Sequence, residues 1–309
     1  MSRFIYSLAL LALIPVLTLA GQDASPADSI YKPVENVETE PLDSSATAQS
    51  PEEIIPADTS DRITEEYIEI ASDSSWWYRK IENKAFDVGE RLEFSVKYGK
   101  LPAGTAVMEI PEIIDFEGYD CYEIVSVAHS NDFVSVFYKV RDTVKTVVDV
   151  DGIFPRKFRK NLHEGGYQTD KTTLFDQKNH LAITDSDTIP TYTFVQDAFS
   201  SLYFARTQDL VPGQDLNIDN HTSKKNFPLT LKVLKKEKVK VPAGEFECLK
   251  VEPVMRAEGI FKAKGRIWVW LTDDEYKMPV LMKTEVFLLG SISAQLKSFV
   301  RGNGEETVE

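Results

Sequence analysis

Apolar and polar residues alternate with a period of two through most of the chain after Trp76, the spacing of half-buried β-strands. Leu92, Phe94 and Val96 face one way between Glu93, Ser95 and Lys97. A turn at Leu101-Pro102-Ala103-Gly104 leads into a strand over 105–110, and Glu117-Gly118 leads into one over 119–128. The alternation continues over 134–140, 143–150, 154–163, 167–175 and 180–184. It resumes over 229–241, 245–254, 265–271, 279–288 and 291–300. Asp151-Gly152 and Gly165-Gly166 mark tight hairpins, because glycine reaches the positive φ such turns need. Strands joined in order by short turns pair as antiparallel neighbours. The pattern predicts an all-β, mainly antiparallel fold: a curved sheet, half-barrel or sandwich.

One segment breaks the period. Asp197 is a good N-cap, and 198–208 carries Phe199, Leu202, Tyr203 and Arg206 at helical spacing before Pro212-Gly213 ends it. A lone amphipathic helix among strands must lay its apolar stripe on a sheet face, so it should plug an open side or end of the sheet. A second irregularity is the run Arg266-Ile267-Trp268-Val269-Trp270-Leu271, apolar on both faces. Val280-Leu281-Met282 and Phe287-Leu288-Leu289 are similar. A strand with one wet face would alternate, so these need two covers: the main core, and either the helix or a cavity that takes an apolar ligand. Phe199, Tyr203, Trp268 and Trp270 are the candidate walls of such a cavity. The motif Pro-Ala-Gly occurs at Pro102-Ala103-Gly104 and again at Pro242-Ala243-Gly244. It reads as one good turn used twice, or as the trace of a duplicated half-domain.

The ends change the picture of where this sheet works. Arg3 precedes an apolar run over 4–19, closed by Thr18-Leu19-Ala20, the order of a secretory signal. The run is about 16 residues, short of the roughly 20 that span a bilayer. Cleavage after Ala20 would leave a chain free in the periplasm, with no later transmembrane segment. Residues 21–75 hold fourteen Asp or Glu against Lys32 and Arg62 and have no apolar period. They read as an acidic disordered linker that contributes little to domain stability, or as an interaction tail. The organisation is then signal peptide 1–20, linker 21–75, one β-rich domain 76–302 and a disordered tail 303–309. The net charge of −14 argues against nucleic acid. Two lysine- and arginine-rich stretches, Lys224 to Lys240 and Arg156 to Lys160, read as edge-strand protection or as a surface for anionic lipid. Cys121 and Cys248 can pair in an oxidising compartment or stand as separate buried thiols.

No catalytic constellation is recognisable. The four histidines, His129, His163, His180 and His221, are not in metal-ligand spacing. Asp149-Val150-Asp151-Gly152 lacks the rest of a calcium loop, and Asp273-Asp274-Glu275 reads as an acidic turn. No serine elbow or phosphate loop is present. No metal, cofactor or catalytic residue is therefore expected.

Five stretches together carry a resemblance. They are 86–92 (Phe86 to Leu92), Pro102-Ala103-Gly104-Thr105, 197–203 (Asp197 to Tyr203), Pro242-Ala243-Gly244, and Trp270-Leu271-Thr272-Asp273-Asp274 through Pro279-Val280 to Gly290-Ser291-Ile292. The chain resembles the secreted bacterial family catalogued as domain of unknown function 3108, over 86–301. The resemblance implies a cell-envelope protein of a double-membraned bacterium and implies no activity. By analogy with periplasmic lipoprotein carriers, a half-open barrel would suit the strand pattern. Two functions follow: binding of an apolar or amphipathic, lipid-like ligand in the curved sheet, or a structural or envelope-protein-binding module with a filled core.

Overall fold

The computed structural model describes residues 78–222, 225–255, 266–286 and 290–302. The expectations for the signal peptide, the linker, Lys224, Phe287-Leu288-Leu289 and the tail 303–309 lie outside the described residues. Fourteen strands form one antiparallel sheet: β1 (Arg91–Tyr98), β2 (Leu101–Phe116), β3 (Tyr119–Ser130), β4 (Arg141–Asp149), β5 (Pro155–Glu164), β6 (Tyr167–Asp176), β7 (Leu181–Ile183), β8 (Thr188–Pro190), β9 (Asp215–Thr222), β10 (Lys225–Val241), β11 (Gly244–Met255), β12 (Arg266–Thr272), β13 (Pro279–Val286) and β14 (Gly290–Val300). Helix α1 (Asp132–Ser135) joins β3 to β4, and α2 (Ser200–Arg206) lies between β8 and β9. The sheet order is β8-β7-β6-β5-β4-β3-β2-β1-β14-β13-β12-β11-β10-β9. The chain therefore starts mid-sheet, meanders to one edge, crosses by α2 to the other edge, and meanders back until β14 pairs with β1.

The crossing segment links the two edges. Gln196 forms a parallel bridge with Asn220 of β9: its N–H donates to Asp219 O (2.8 Å), and its carbonyl accepts from His221 N (2.8 Å). On the other side Gln177 Nε2, just after β6, donates to Val195 O at 3.1 Å. Asn226 Nδ2 reaches Pro190 O at 2.7 Å. Asp197 then caps α2, its Oδ1 accepting from Phe199 N (2.6 Å) and Ser200 N (2.8 Å). The helix is shorter than 198–208, because Phe199 and the residues before it form a capped turn.

Alternation translated into burial where strands are long. In β1, Leu92 and Phe94 are buried while Arg91 stays exposed, and β2 buries Ala106, Met108 and Ile110 in step. Three local readings are corrected. The segment 134–140 is not a strand: β3 ends at Ser130 and its antiparallel partner begins at Arg141, so the residues between must turn back. Asn131 Oδ1 accepts from Val134 N (2.9 Å) and starts α1 there. The turn into β2 is Gly99-Lys100, with Gly99 at φ +57°, while Pro102, Ala103 and Gly104 lie within the strand. At the second site Pro242 and Ala243 do form the turn, with Gly244 at φ +139°. Identical motifs thus take two geometries, and the motif gives no structural repeat. At Asp151-Gly152 it is Ile153, at φ +48°, that supplies the positive φ. Sequence reading also passed over β8 and β9.

Candidate functional site

The four residues proposed from sequence fall into two pairs within one buried apolar cluster. Phe199 and Tyr203 stand edge to face at 5.6 Å on α2, and Tyr203 meets Phe86 in the same way at 4.9 Å. Next to them Arg206, fully buried, makes a two-pronged contact with Glu90: Nη1 to Oε1 at 2.8 Å and Nη2 to Oε2 at 2.5 Å. The same guanidinium donates to Ala85 O (2.9 Å) and Tyr276 O (3.1 Å). A buried ion pair survives only when its remaining donors are satisfied in this way. The centre around α2 is packed.

Trp268 and Trp270 share one face of β12. The opposite face, with Val269 and Leu271, packs with Ala205, Leu202 and Phe204 of α2. The tryptophan face is covered by charged neighbours rather than by a void. Lys250 Nζ lies 4.9 Å and 4.6 Å from the ring centres of Trp268 and Trp270, and the Arg266 guanidinium lies 4.9 Å from Trp268. Trp270 Nε1 donates to Glu237 Oε1 at 2.8 Å. In both basic stretches several cations find acidic partners. β10 lies inside the sheet, not at its edge. Lys235 pairs with Glu237, Lys236 with Asp273, and Lys238 with Glu247. Arg156 is buried on Asp149, whose other oxygen accepts from Gly152 N and so holds the expected turn.

A cavity of about 200 Å³ lies elsewhere, at the end of the sheet where β1, β2, β3 and β14 meet α1. Apolar groups dominate its wall, including Val96, Ala128, Val134, Val140 and Ile292, with Tyr98 and Tyr138 beside them. His129, Ser130 and Thr105 supply its polar groups. None of the four sequence candidates lines it. Gly104 sets its width: a Cβ there would stand 2.1 Å from the His129 carbonyl oxygen. Asn131 locks α1 over β2, its N–H donating to Ala103 O and its Nδ2 to Pro102 O, both at 2.9 Å. The register assembles this wall from residues far apart in the chain, which no local motif could have announced.

Across the strands from two of its wall residues lies a pair of buried acids. Asp142 sits opposite Ala128, and Glu164 bridges to Val140. Burial raises both carboxyls above the ordinary range, and the Asp142 charge raises Glu164 further. His163 N donates to Asp142 Oδ1 at 2.9 Å. Elsewhere the chemistry is quiet. Cys121 and Cys248 are separate buried thiols with no disulfide between them, each pushed up to about 12 by burial. Among the described residues no group of three or more His, Cys, Asp or Glu could hold a metal, and no helix is long and apolar enough to cross a membrane.

The family model described as "Protein of unknown function (DUF3108)" matches residues 93–297, and the chain belongs to that family. Among solved structures it is similar to a β-barrel-like protein of domain of unknown function DUF1849 from Brucella abortus. That match has a TM-score of 0.49 and 11% identity, over 70% of this chain and 99% of the other. A DUF1089 family protein from Pseudomonas aeruginosa matches with a TM-score of 0.37 and 11% identity, over 59% of this chain and 90% of the other. No curated protein matches the chain.

Proposed function

We propose that this member of the family is an exported, soluble, non-enzymatic cell-envelope protein that binds the apolar part of an amphipathic, lipid-like molecule. The cavity beside α1 is the observation that carries this reading. Its volume of about 200 Å³ is below the roughly 300–1,000 Å³ of pockets that enclose a drug-sized ligand. It suits one end of a molecule, such as part of an acyl chain, with the polar remainder near His129 and Ser130. We place the ligand here rather than against Phe199, Tyr203, Trp268 and Trp270, because the first two pack on each other and Phe86, and the tryptophans are covered by Lys250, Arg266 and Glu237. The positive, apolar, small-residue order of residues 1–20 supports export to the periplasm.

Native mass spectrometry of protein recovered from its own envelope tests the reading. A bound mass that extracts as lipid is expected. Ala128→Phe, which places a ring in the cavity, should lower the affinity for a fluorescent fatty acid at least tenfold. A ligand-free mass together with unchanged fatty-acid affinity in the variant would sink the proposal. The packed centre around α2 favours a second reading, a module with a filled core that binds an envelope protein. Pull-down from envelope extract by protein that carries no lipid would favour that one.

A further inference from the structure

The exposed surface around the cavity differs from the rest of the molecule in two ways. The first is apolar exposure: Phe133 is 69% exposed, Val136 77% and Phe137 79%. Leu101, beside the Pro102 carbonyl that Asn131 holds, is 61% exposed. Scattered single apolar residues on a surface are ordinary, but a cluster of large ones at a cavity rim marks an interaction site. Phe133 and Phe137 pack edge to face at 6.0 Å, so they present one joint aromatic surface.

The second difference is charge. Across the β1–β2 turn, α1 and the start of β4 stand Lys97, Lys100, Lys139 and Arg141, and the acid exposed among them is Asp132. None of these four cations joins an ion pair among the described residues. On the other strands pairing is mixed: Arg91 pairs with Glu109, Lys145 with Glu123, Arg159 with Asp170, Lys283 with Glu285 and Lys297 with Glu93, while Lys157, Lys171, Lys232 and Lys240 join no ion pair among the described residues but do not surround a cluster of exposed aromatic side chains. Residues 76–309 are nearly balanced, with 32 Lys or Arg against 35 Asp or Glu, so four cations to one exposed acid, gathered around exposed aromatic and aliphatic side chains, make a local positive excess.

We propose that this end docks on an anionic lipid bilayer, with Leu101, Phe133, Val136 and Phe137 entering the interface while Lys97, Lys100, Lys139 and Arg141 meet the headgroups. Aromatic and aliphatic side chains flanked by lysine and arginine are the composition that holds a protein in the plane of an interface. The charge arrangement selects lipid over an apolar protein surface, which would leave the cations without partners. The docking is read from the rim alone. Only its consequence, that the cavity opens toward acyl chains, rests on the ligand reading above.

The test is co-sedimentation of the full chain with vesicles of phosphatidylcholine, with and without 30% phosphatidylglycerol, beside fatty-acid binding in vesicle-free solution. Binding is expected to the anionic vesicles only. Raising the salt from about 0.1 M to about 1 M shortens the screening length from roughly 10 Å to roughly 3 Å and should release most of it. Phe133→Ser/Phe137→Ser and Lys100→Glu/Lys139→Glu should each weaken vesicle binding at least tenfold while the thermal midpoint stays put. Any contribution from the apolar residues 4–19 is common to all these chains and cancels. Equal binding to neutral vesicles, or double variants that bind like the parent chain, would overturn the docking. Fatty-acid binding without vesicle binding would remove the docking and leave the cavity reading intact; vesicle binding without fatty-acid binding would do the reverse.

Discussion

The two helices carry the same local motif with opposite fates. On α2, Phe199 just before the first turn and Tyr203 four residues later stand edge to face at 5.6 Å. At α1, Phe133 and Phe137 do so at 6.0 Å. The first pair is 2% and 0% exposed, the second 69% and 79%. Burying such a side chain contributes about 1.5–3 kcal/mol, so the first pair holds the fold and the second does not. Connectivity makes the difference. The segment bearing α2 must cross from one sheet edge to the other and enters the interior on the way. The segment bearing α1 only joins two neighbouring strands at the end of the sheet, where no other element among the described residues covers it.

The largest expected effect lies at α2. Arg206→Ala leaves the buried Glu90 carboxylate without its partner, and breaking such a pair costs about 3–5 kcal/mol. Chemical denaturation should show that loss. The double change Arg206→Met with Glu90→Leu should restore most of it, since no charge is then left buried. A variant as stable as the parent would mean that the pair does not tie α2 to β1.

The next effect separates cavity from core. Gly104→Ala puts a methyl group against the backbone carbonyl of His129, and such overpacking costs about 1–3 kcal/mol. Strands β2 and β3 must part at the cavity wall, so fatty-acid affinity should fall along with the melting midpoint. An unchanged midpoint would show that this close approach is not held in solution.

A smaller effect concerns pH. In the unfolded chain Asp142 and Glu164 ionise in the ordinary range near 4; in the folded chain burial raises both. The folded state thus binds more protons above that range. Stability is fully present below it and declines as pH rises through the raised values. Glu164→Gln should flatten this decline, its advantage over the parent growing by on the order of 1 kcal/mol from about pH 5 to about pH 8. Parallel stability profiles for the two proteins would remove the acid pair from the account.

The sequence showed the long strands because their burial follows the period of two, as in β1 and β5. It showed α2 because a cap and a helical spacing coincide. It misread 134–140, where Val134, Val136, Tyr138 and Val140 alternate as a strand would, because the choice there is made by the pairing of His129 with Arg141 and not by local preference. β9 was passed over because Asn217, Asp219 and Asn220 disfavour strands, and its pairing with β10 overrides them. The doubly apolar β12 is covered on both faces, but the cover on the tryptophan face is neither the helix nor a cavity, the two that the sequence suggests: charged side chains lie there. Period alone could not say that the cationic ends of Lys250 and Arg266 lie over the tryptophan rings. The cavity was out of reach, since Val96, Ala128, Val140 and Ile292 become neighbours only through the register of β1, β2, β3, β4 and β14.

The smallest effect sharpens the comparison most. Phe133→Ser/Phe137→Ser removes two aromatic rings, a change that in a packed core would cost several kcal/mol. Here the rings face outward and touch chiefly each other, so the expected change is within about 0.5 kcal/mol. Replacing exposed aromatic surface with serine also lowers the tendency to associate, so soluble yield should hold or rise. Differential scanning calorimetry decides it. A midpoint unchanged within a degree or two means that the exposed pair is spare to the fold and free for a partner surface. A drop of several degrees, about 1 kcal/mol or more, would mean that α1 is a packing element like α2, and the contrast between the two helices would be lost.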